Sequence, residues 1–319
     1  MRLDDYAPRP AQLKWLLDAD PAIRWQVMRD LTGEAESAIA AERSRIASEG
    51  WGARLLALQG PDGSWGDGAS KPKWYSTLYT LVLLRNMGLD STSTQARRAV
   101  GLVRDKVTWG PEFGNASFFE GEVEPCINGG VLVLGGYFGE ASDRLVDRLL
   151  GEQLEDGGWN CEAPKSRRSS FHTTICVLEG LLEYEKSNGA TAAVTEARTR
   201  GQEYLLQRRM FRRLSTGEVV ERQWTHFSFP TTWHYDVLRG LDYLRSAGVP
   251  PNERVREALE LVAATRQDEA WLLQNPHPDP PRWWRSPIDF DMEGGEGKAS
   301  RWNTLRALRV LRWYNDSTW

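Results

Sequence analysis

Apolar residues recur along most of the chain at intervals of three and four, the spacing of a helix with one buried face. Val146, Leu149 and Leu150 show this spacing in one segment. Six segments with charged opposite faces are predicted to be amphipathic helices: residues 11–17, 37–59, 93–107, 142–153, 191–207 and 252–265. The second of them is expected to be interrupted near Gly50 and Gly52. Because no strand-type alternation competes with this pattern, the sequence predicts an all-α protein.

Six other segments share a second pattern, in which a small, polar or aromatic opening precedes an apolar run rich in Leu and Gly. They cover residues 20–31, 72–84, 124–136, 169–181, 231–244 and 299–311. Their starts lie roughly 45–70 residues apart, a spacing suited to a repeated pair of helices with variable loops. Gly costs about 1 kcal/mol in a helix interior, so helices keep it mainly where two backbones pack closely.

The alternation of six more apolar helices with six more charged ones predicts an inner ring of helices wrapped by an outer ring. We therefore expect a single (α/α)6 toroid that forms one domain over residues 1–319. A HEAT-like solenoid is the alternative, because residues 20–31 would open such a repeat acceptably. The later segments lack the regular second helix of that repeat.

Two stretches between these helices, QGPDGSWG (59–66) and QLEDGGWN (153–160), resemble the QW repeats of squalene–hopene cyclases and related terpene cyclases. The stretches around Gln207 and at RQDEAW (266–271) look like degraded copies. In that family the Gln and Trp tie an outer helix to the following inner helix. The toroid also occurs in the β subunits of protein prenyltransferases. The resemblance therefore supports a toroid with QW-like repeats, although a fold does not determine a function.

The resemblance implies an enzyme that acts on an isoprenoid or other small hydrophobic substrate in an aromatic-lined cavity. The acid motif DxDD of the class II cyclases does not occur in the sequence. The nearest stretch, IDFDMEGG (288–295), offers only Asp289 and Asp291, so cyclisation started by protonation is not expected. Two alternatives stay open: a non-catalytic toroid that serves as a binding or scaffold module, and a zinc-dependent peptide-modifying enzyme resembling lanthionine cyclases, whose Cys-His-Gly motif is absent here.

The inner helices of a toroid run parallel, so their positive N-terminal ends would meet at one mouth. Residues at these helix heads are candidates for substrate binding: Trp74, Tyr75, Phe171, Trp233, Tyr235, Trp302 and Asn303. Aromatic faces stabilise cations, which carbocation chemistry requires. The alternative is that these aromatic residues only pack the wall of the barrel.

Cysteines and histidines also fall at or beside these heads, and they predict a tentative zinc site formed by Cys126, Cys161, His172 and His234. Prenyltransferases resemble this arrangement, although their Asp-x-Cys pair is missing here. The alternatives are ordinary buried residues, or a Cys nucleophile with a His base. We also predict catalytic roles for His234 and for Asp236, as a group that orients a histidine or as a general base, with a capping acid as the alternative.

Composition narrows the possible partners. The chain of 319 residues has a net charge of −4 and a pI near 5.8, which gives no bulk attraction to nucleic acid. No stretch is long and apolar enough for a transmembrane helix, and the N-terminus lacks the apolar core of a secretory signal. Three cysteines, an odd number, favour a reducing compartment over a disulfide framework. We therefore expect a cytoplasmic protein; the oligomeric state is not predicted.

Overall fold

A computed structural model of the protein describes residues 7–66, 71–275 and 293–317, with only the backbone of residues 71–75, 112 and 317. The described helices are α1 (Pro10–Leu17), α2 (Pro21–Val27), α3 (Glu36–Ser44), α4 (Gly50–Ala57), α5 (Lys71–Met87), α6 (Thr94–Lys106), α7 (Pro125–Phe138), α8 (Asp143–Gly151), α9 (Phe171–Asn188), α10 (Ala192–Gln207), α11 (Val237–Ser246), α12 (Glu253–Ala264) and α13 (Arg301–Ser317). Two short strands, β1 (Trp271–Leu272) and β2 (Ala299–Ser300), pair antiparallel. The helix content and the order of the helices match the predicted all-α toroid.

Three boundaries differ from the predicted segments. The segment 37–59 divides into α3, a short 3-10 turn (Arg45–Ala47) and α4, which starts at Gly50 as the glycine pattern suggested. The segment beginning at residue 231 becomes helical only at Val237, because Asp236 caps that helix. Residues 299 and 300 belong to β2 rather than to α13.

The chain forms two compact units. One contains the described residues of 1–95, 219–232 and 236–319, and the other contains residues 96–218 and 233–235. Below they are called the first unit and the second unit. The prediction of one domain over residues 1–319 stays a prediction. No helix in the described part of the chain is long and apolar enough to cross a membrane.

Helices α7 and α9 form the core of the second unit and lie against each other at glycines. A Cβ atom on Gly129 would come within 2.3 Å of the carbonyl oxygen of Cys176, and one on Gly180 within 2.6 Å of the carbonyl oxygen of Gly129. The two backbones can approach this closely only because both residues lack side chains. Close packing therefore explains Gly129 and Gly180, as predicted, whereas a Cβ atom on Gly130 of the same run would meet open space.

A buried ionic cluster joins α11 and α13 in the first unit. Asp242 accepts hydrogen bonds from Arg309, through Nε at 2.7 Å and also through Nη2, and from Arg245 at 3.0 Å. Burial alone would raise the pKa of Asp242, but the charges of Arg309 and Arg245 hold it well below its ordinary value. Because each charge in the cluster has a partner, breaking the pair would leave a costly buried charge.

Three tryptophans tie an outer helix to the next inner helix through the same two contacts: Trp65, Trp159 and Trp271. Each indole Nε1–H donates, over 2.6–2.7 Å, to a carbonyl of the preceding outer helix, those of Leu55, Leu149 and Val262. Each backbone N–H donates, over 3.0 Å, to a threonine hydroxyl of the following inner helix, those of Thr77, Thr174 and Thr304. This is the connecting role that the sequence suggested for the tryptophans.

The glutamines of the QW-like repeats extend the link to the next outer helix. Gln59 Nε2 donates to the carbonyl of Gln95 at 2.8 Å, and Gln153 Nε2 donates to that of Ala197, also at 2.8 Å. The candidate copy at Gln207 differs, because its amide donates to Glu203 in its own helix. The regular contacts fix the turn that precedes Cys161.

Candidate functional site

Cys161 lies two residues after Trp159, at the start of the loop that leads into α9. The loop begins from a fixed point, because Trp159 is fully buried and bonded to both neighbouring helices. Its far end is fixed as well, since Ser170 N–H donates to the carbonyl of Trp159 over 2.8 Å. The framework therefore places Cys161 beside the first turn of α9.

Cys126 is the second residue of α7, and a buried carboxylate shapes the turn before it. Glu122 accepts hydrogen bonds from the backbone N–H groups of Val123 at 2.6 Å and Glu124 at 2.9 Å. The side chain of Asn128 in turn bonds both backbone groups of Glu122, each over 2.7 Å. Burial raises the pKa of Glu122, and the backbone hydrogen bonds oppose that rise. Glu122 thus fixes the backbone that carries Glu124 and Cys126.

The two cysteines meet in the second unit. Their Sγ atoms lie 2.9 Å apart, Cys161 Sγ lies 3.4 Å from the hydroxyl of Thr173, and Cys126 Sγ lies 3.7 Å from a carboxylate oxygen of Glu124. The two sulfur atoms and the Glu124 oxygen all lie within 4.8 Å of one another. Glu124 is exposed, and both cysteines are half-buried. We call Glu124, Cys126, Cys161 and Thr173 the thiol cluster.

The contact between the sulfur atoms separates the acidities of the two thiols. A hydrogen bond from Cys126 to the thiolate of Cys161 lowers the pKa of Cys161, and the Thr173 hydroxyl and the Cys126 backbone N–H add to this. The same bond, together with burial, raises the pKa of Cys126. Cys161 is therefore the more acidic thiol of the pair.

The donors of the thiol cluster fit a zinc ion. Zinc prefers thiolate sulfur, imidazole nitrogen and carboxylate oxygen, and three protein ligands leave a position for a substrate or water. Cys126 and Cys161 would supply two sulfur ligands, and Glu124 would supply one oxygen. Two of the four predicted ligands are thus brought together, and Glu124 joins them.

The two predicted histidine ligands form a separate aromatic group with Trp233. The ring of Trp233 stacks on His234 at 3.8 Å between centroids and meets the edge of His172 at 5.2 Å. Nδ1 of His172 accepts a hydrogen bond from the backbone N–H of Tyr235 over 2.8 Å. A neutral ring in this position carries its proton on Nε2. The hydrogen bond from Tyr235 competes with metal binding at Nδ1 of His172, and the ligand roles of His172 and His234 stay predictions.

The other predicted aromatic residues of the second unit pack against each other. The ring of Phe171 lies 5.1 Å from that of Tyr235 and 5.3 Å from that of Tyr204. The hydroxyl of Tyr235 donates to the carbonyl of Met210 over 2.5 Å. Phe171 and Tyr235 are buried, whereas Trp233 is 38% exposed. Of these predicted substrate-binding residues, Trp233 offers the most surface.

Asp236 belongs to the first unit, where it caps α11. One carboxylate oxygen accepts from the Arg239 N–H at 2.6 Å, and the other lies 3.4 Å from the hydroxyl of Ser228. The guanidinium of Arg306 lies 3.9 Å away, and the aspartate is 1% exposed. These contacts match the capping alternative; the catalytic role stays a prediction.

Trp302 and Asn303 lie at the start of α13 in the first unit. The amide of Asn303 donates to the carbonyls of Phe227 and Leu272, so it fixes the backbone. Phe229 stacks on Trp302 at 4.1 Å between centroids, which covers one face of the indole that was expected to meet a cation. The buried Nε1–H of Trp302 has no hydrogen-bond partner among the described residues.

Some predicted residues lie outside the described structure. The side chains of Trp74 and Tyr75 are not described, although their backbone belongs to α5. Asp289 and Asp291 fall in residues 276–292, which also lie outside it.

Sequence reasoning missed Glu124 and Thr173 as members of the site. Glu124 reads as one of three acids, with Glu120 and Glu122, that complement the positive end of a helix. Its spacing of two residues from Cys126 was the signal available. Thr173 follows His172 directly and reads as part of an ordinary apolar helix, so nothing marks it in the sequence.

The chain is weakly similar to several solved protein structures. No protein-family model and no curated protein matches the chain. A solved protein from Actinoplanes is 17% identical over 98% of this chain and 100% of its own, with a TM-score of 0.46. The type II terpene cyclase MstE from Scytonema is 16% identical in its complex with merosterolic acid A, over 99% of this chain and 97% of its own, with a TM-score of 0.48.

A further MstE structure, in complex with geranylgeranyl dihydroxybenzoate, is 17% identical over 99% of this chain and 98% of its own, with a TM-score of 0.45. At these identities and TM-scores, the similarity assigns no residue and no reaction to this chain.

Proposed function

We propose that the protein is a zinc-dependent enzyme of the terpene cyclase and prenyltransferase type that acts on an isoprenoid or similarly hydrophobic substrate. One observation carries the proposal: two thiols and a carboxylate from separate segments meet within 4.8 Å. Glu124 and Cys126 come from the start of α7, and Cys161 comes from the loop before α9. Such convergence of thiols and a carboxylate is typical of a zinc centre.

Three protein ligands would hold the ion and leave one position open. When bound, zinc supplies a Lewis acid and lowers the pKa of a thiol or water that shares its coordination. Thr173 contributes a hydroxyl that contacts Cys161 Sγ and orients that sulfur. Glu122 accepts hydrogen bonds from the backbone of Val123 and Glu124, and it thereby fixes the positions of Glu124 and Cys126.

The aromatic group of the same unit suits a hydrophobic substrate. Trp233 exposes part of its ring, and its backbone carbonyl accepts from the thiol of Cys176 at 3.5 Å, which fixes its position. Nδ1 of His172 accepts the backbone N–H of Tyr235, which fixes the tautomer and the orientation of this polar ring. An apolar face beside a polar ring is the usual composition of a small-molecule site. The isoprenoid class itself comes from the resemblance of the QW-like repeats.

Metal analysis of untagged protein tests whether the protein binds zinc. We expect close to one zinc per chain, with loss of the ion as pH falls below about 6, because thiolates must be protonated for release. Cys161→Ala should strip the zinc, and Glu124→Gln should weaken its binding. Cys176→Ala is the matched control, because that thiol lies in the helical core, and it should keep its zinc.

Turnover of farnesyl or geranylgeranyl diphosphate, followed by chromatography of the products, tests the substrate class. Zinc-loaded protein should consume one of these probes, and metal-stripped protein and Cys161→Ala should not. The proposed metal centre would be refuted if the purified, folded protein contained no metal and its Cys126 and Cys161 reacted freely with an alkylating agent. Binding of the probes without turnover by zinc-loaded protein would favour the non-catalytic toroid.

A further inference from the structure

The two sulfur atoms of the thiol cluster are close enough to be joined. A disulfide places its sulfur atoms about 2.0 Å apart, and Cys126 Sγ and Cys161 Sγ lie at 2.9 Å as free thiols. We infer that this pair is a redox modification site, at which a hydroperoxide converts the two thiols into an intramolecular disulfide. The inference rests on the two thiols alone and does not require the zinc of the proposed function.

Both cysteines are half-buried, and one of them is carried by a loop. Cys161 lies in the segment of turns between Trp159 and α9, and Cys126 lies in the first turn of α7. Both residues are half-buried, so a small oxidant can reach them without unfolding. The third cysteine, Cys176, is buried and bonded to a backbone carbonyl, which sets it apart as an internal control.

The reaction balances in two steps. The thiolate of Cys161 attacks the terminal oxygen of the hydroperoxide; the O–O bond breaks, an alcohol or water leaves, and Cys161 becomes a sulfenic acid. The sulfur of Cys126 then attacks the sulfur of Cys161, the S–O bond breaks and water leaves with the remaining thiol proton. The two sulfur atoms lose two electrons, and the hydroperoxide gains them.

The fold does not depend on this bond. Trp159 and the backbone bond from Ser170 to Trp159 already fix both ends of the loop. The disulfide therefore changes the chemistry of the cluster and leaves its framework intact. Oxidation consumes both sulfur donors and leaves Glu124 alone, so the disulfide and the metal proposed above exclude each other.

The test uses metal-stripped, fully reduced protein treated with hydrogen peroxide in modest excess. The protein is then denatured, alkylated and weighed by intact mass spectrometry, with peptide mapping. We expect loss of two hydrogen atoms, a single alkylated thiol at Cys176, and a peptide linking Cys126 to Cys161. Dithiothreitol should restore all three thiols. Cys176→Ala should form the same disulfide, and Cys126→Ser and Cys161→Ser should not.

Other products would overturn the inference. Three results would each show that the pair does not close. They are a sulfinic acid at Cys161 in the wild-type protein, a disulfide between two chains, and thiols of Cys126 and Cys161 that both stay alkylatable. A parallel sample loaded with zinc separates the two proposals. Retarded oxidation with release of zinc supports both, whereas equally fast oxidation with no bound zinc supports the disulfide and refutes the metal.

Discussion

Two helix starts that the sequence offered as sites of chemistry differ in how their polar groups are used. At the start of α11, Asp236 gives one oxygen to the N–H of Arg239 in its own helix and lies with the other near Ser228. At the start of α7, the thiol of Cys126 instead meets Cys161, which comes from a different segment. The first arrangement completes a helix, and the second assembles groups that have no need of each other for folding.

A capping residue and a residue of a reactive site differ in how far away along the chain their bonded partners lie. A capping side chain bonds backbone donors within its own first turn, so its partners are three residues or fewer away. The partners in the thiol cluster are 35 and 12 residues apart along the chain. A polar group at a helix start is thus a functional candidate when its main partner is another reactive side chain.

The strongest test of this comparison is the removal of each group in turn. Asp236→Ala would leave a buried N–H without an acceptor and would remove one of the two carboxylates beside Arg306, the other being Asp242, and it should lower the free energy of unfolding by about 3 kcal/mol. Cys161→Ala should cost the reduced, metal-free protein about 1 kcal/mol or less. Urea unfolding followed by circular dichroism measures both.

Asp236→Asn is the matched variant, because Asn caps helices as well as Asp does. It should keep the cap and lose only the charge, so its cost should lie between the other two. Equal destabilisation by Asp236→Ala and Cys161→Ala would break the distinction between the two helix starts.

Two adjacent threonines of α9 sharpen the comparison with a smaller effect. Thr174 accepts the N–H of the buried Trp159, and Thr173 contacts the sulfur of Cys161. Thr174→Val should lower the free energy of unfolding by about 1–3 kcal/mol, since it leaves a buried donor unpaired. Thr173→Val should change stability less and should instead slow the alkylation of Cys161, because the thiolate loses a hydrogen bond.

Thermal unfolding and the rate of reaction with iodoacetamide separate the two variants. If Thr173→Val is the more destabilising of the pair, or if Thr174→Val alters the reactivity of Cys161 more, the division between framework and site is wrong.

The helices and their links were predictable because they depend on local pattern. The three-and-four spacing gave α8, and the spacing of Gln153 and Trp159 indicated contacts that the structure contains. Cys126 and Cys161 were predictable as partners because Cys126 stands at the opening of one apolar helical run and Cys161 lies in the loop that leads into the next. These features follow from residues close together in sequence, or from a repeat that fixes where each helix begins.

The remaining details depend on approaches between distant segments. The tautomer of His172 is set by the backbone N–H of Tyr235, 63 residues further along the chain. The covering of Trp302 by Phe229 likewise requires two segments that no local pattern connects. Sequence alone predicts the residue types at the helix starts. It does not predict the hydrogen-bond partner of each ring nitrogen or the side chain that covers each ring.

The start of α13 extends the comparison to a second buried carboxylate. Glu293 accepts the N–H of Trp302 at 3.0 Å and a hydrogen bond from the hydroxyl of Ser300. Burial raises the pKa of Glu293 above its ordinary value of 4.5. The folded protein therefore favours the protonated acid, and this contribution to stability is present below pH 4.5 and is lost as pH rises through the folded pKa.

Glu293→Gln removes this titration and should have a modest effect that depends on pH. Relative to the variant, the wild-type protein should lose stability as pH rises from about 4 toward neutrality, because Gln stays neutral throughout. The difference in melting temperature between the two proteins, followed across that range, measures it. A difference that stays constant, or one of opposite sign, would show that the carboxylate is stabilised as the charged form.

The smallest expected effects come from the two glutamines of the QW-like repeats. Gln59 and Gln153 make matching pairs of contacts in different units, each to a glycine carbonyl of its own turn and to a carbonyl of the next outer helix. Because these carbonyls are partly open to water, Gln59→Ala and Gln153→Ala should each cost only about 0.5–1.5 kcal/mol. The second should also speed oxidation of Cys161, since the turn before that residue loosens, whereas the first should leave that rate unchanged. Urea unfolding and the peroxide assay measure the two properties, and equal oxidation rates would show that the QW-like turn does not position the thiol cluster.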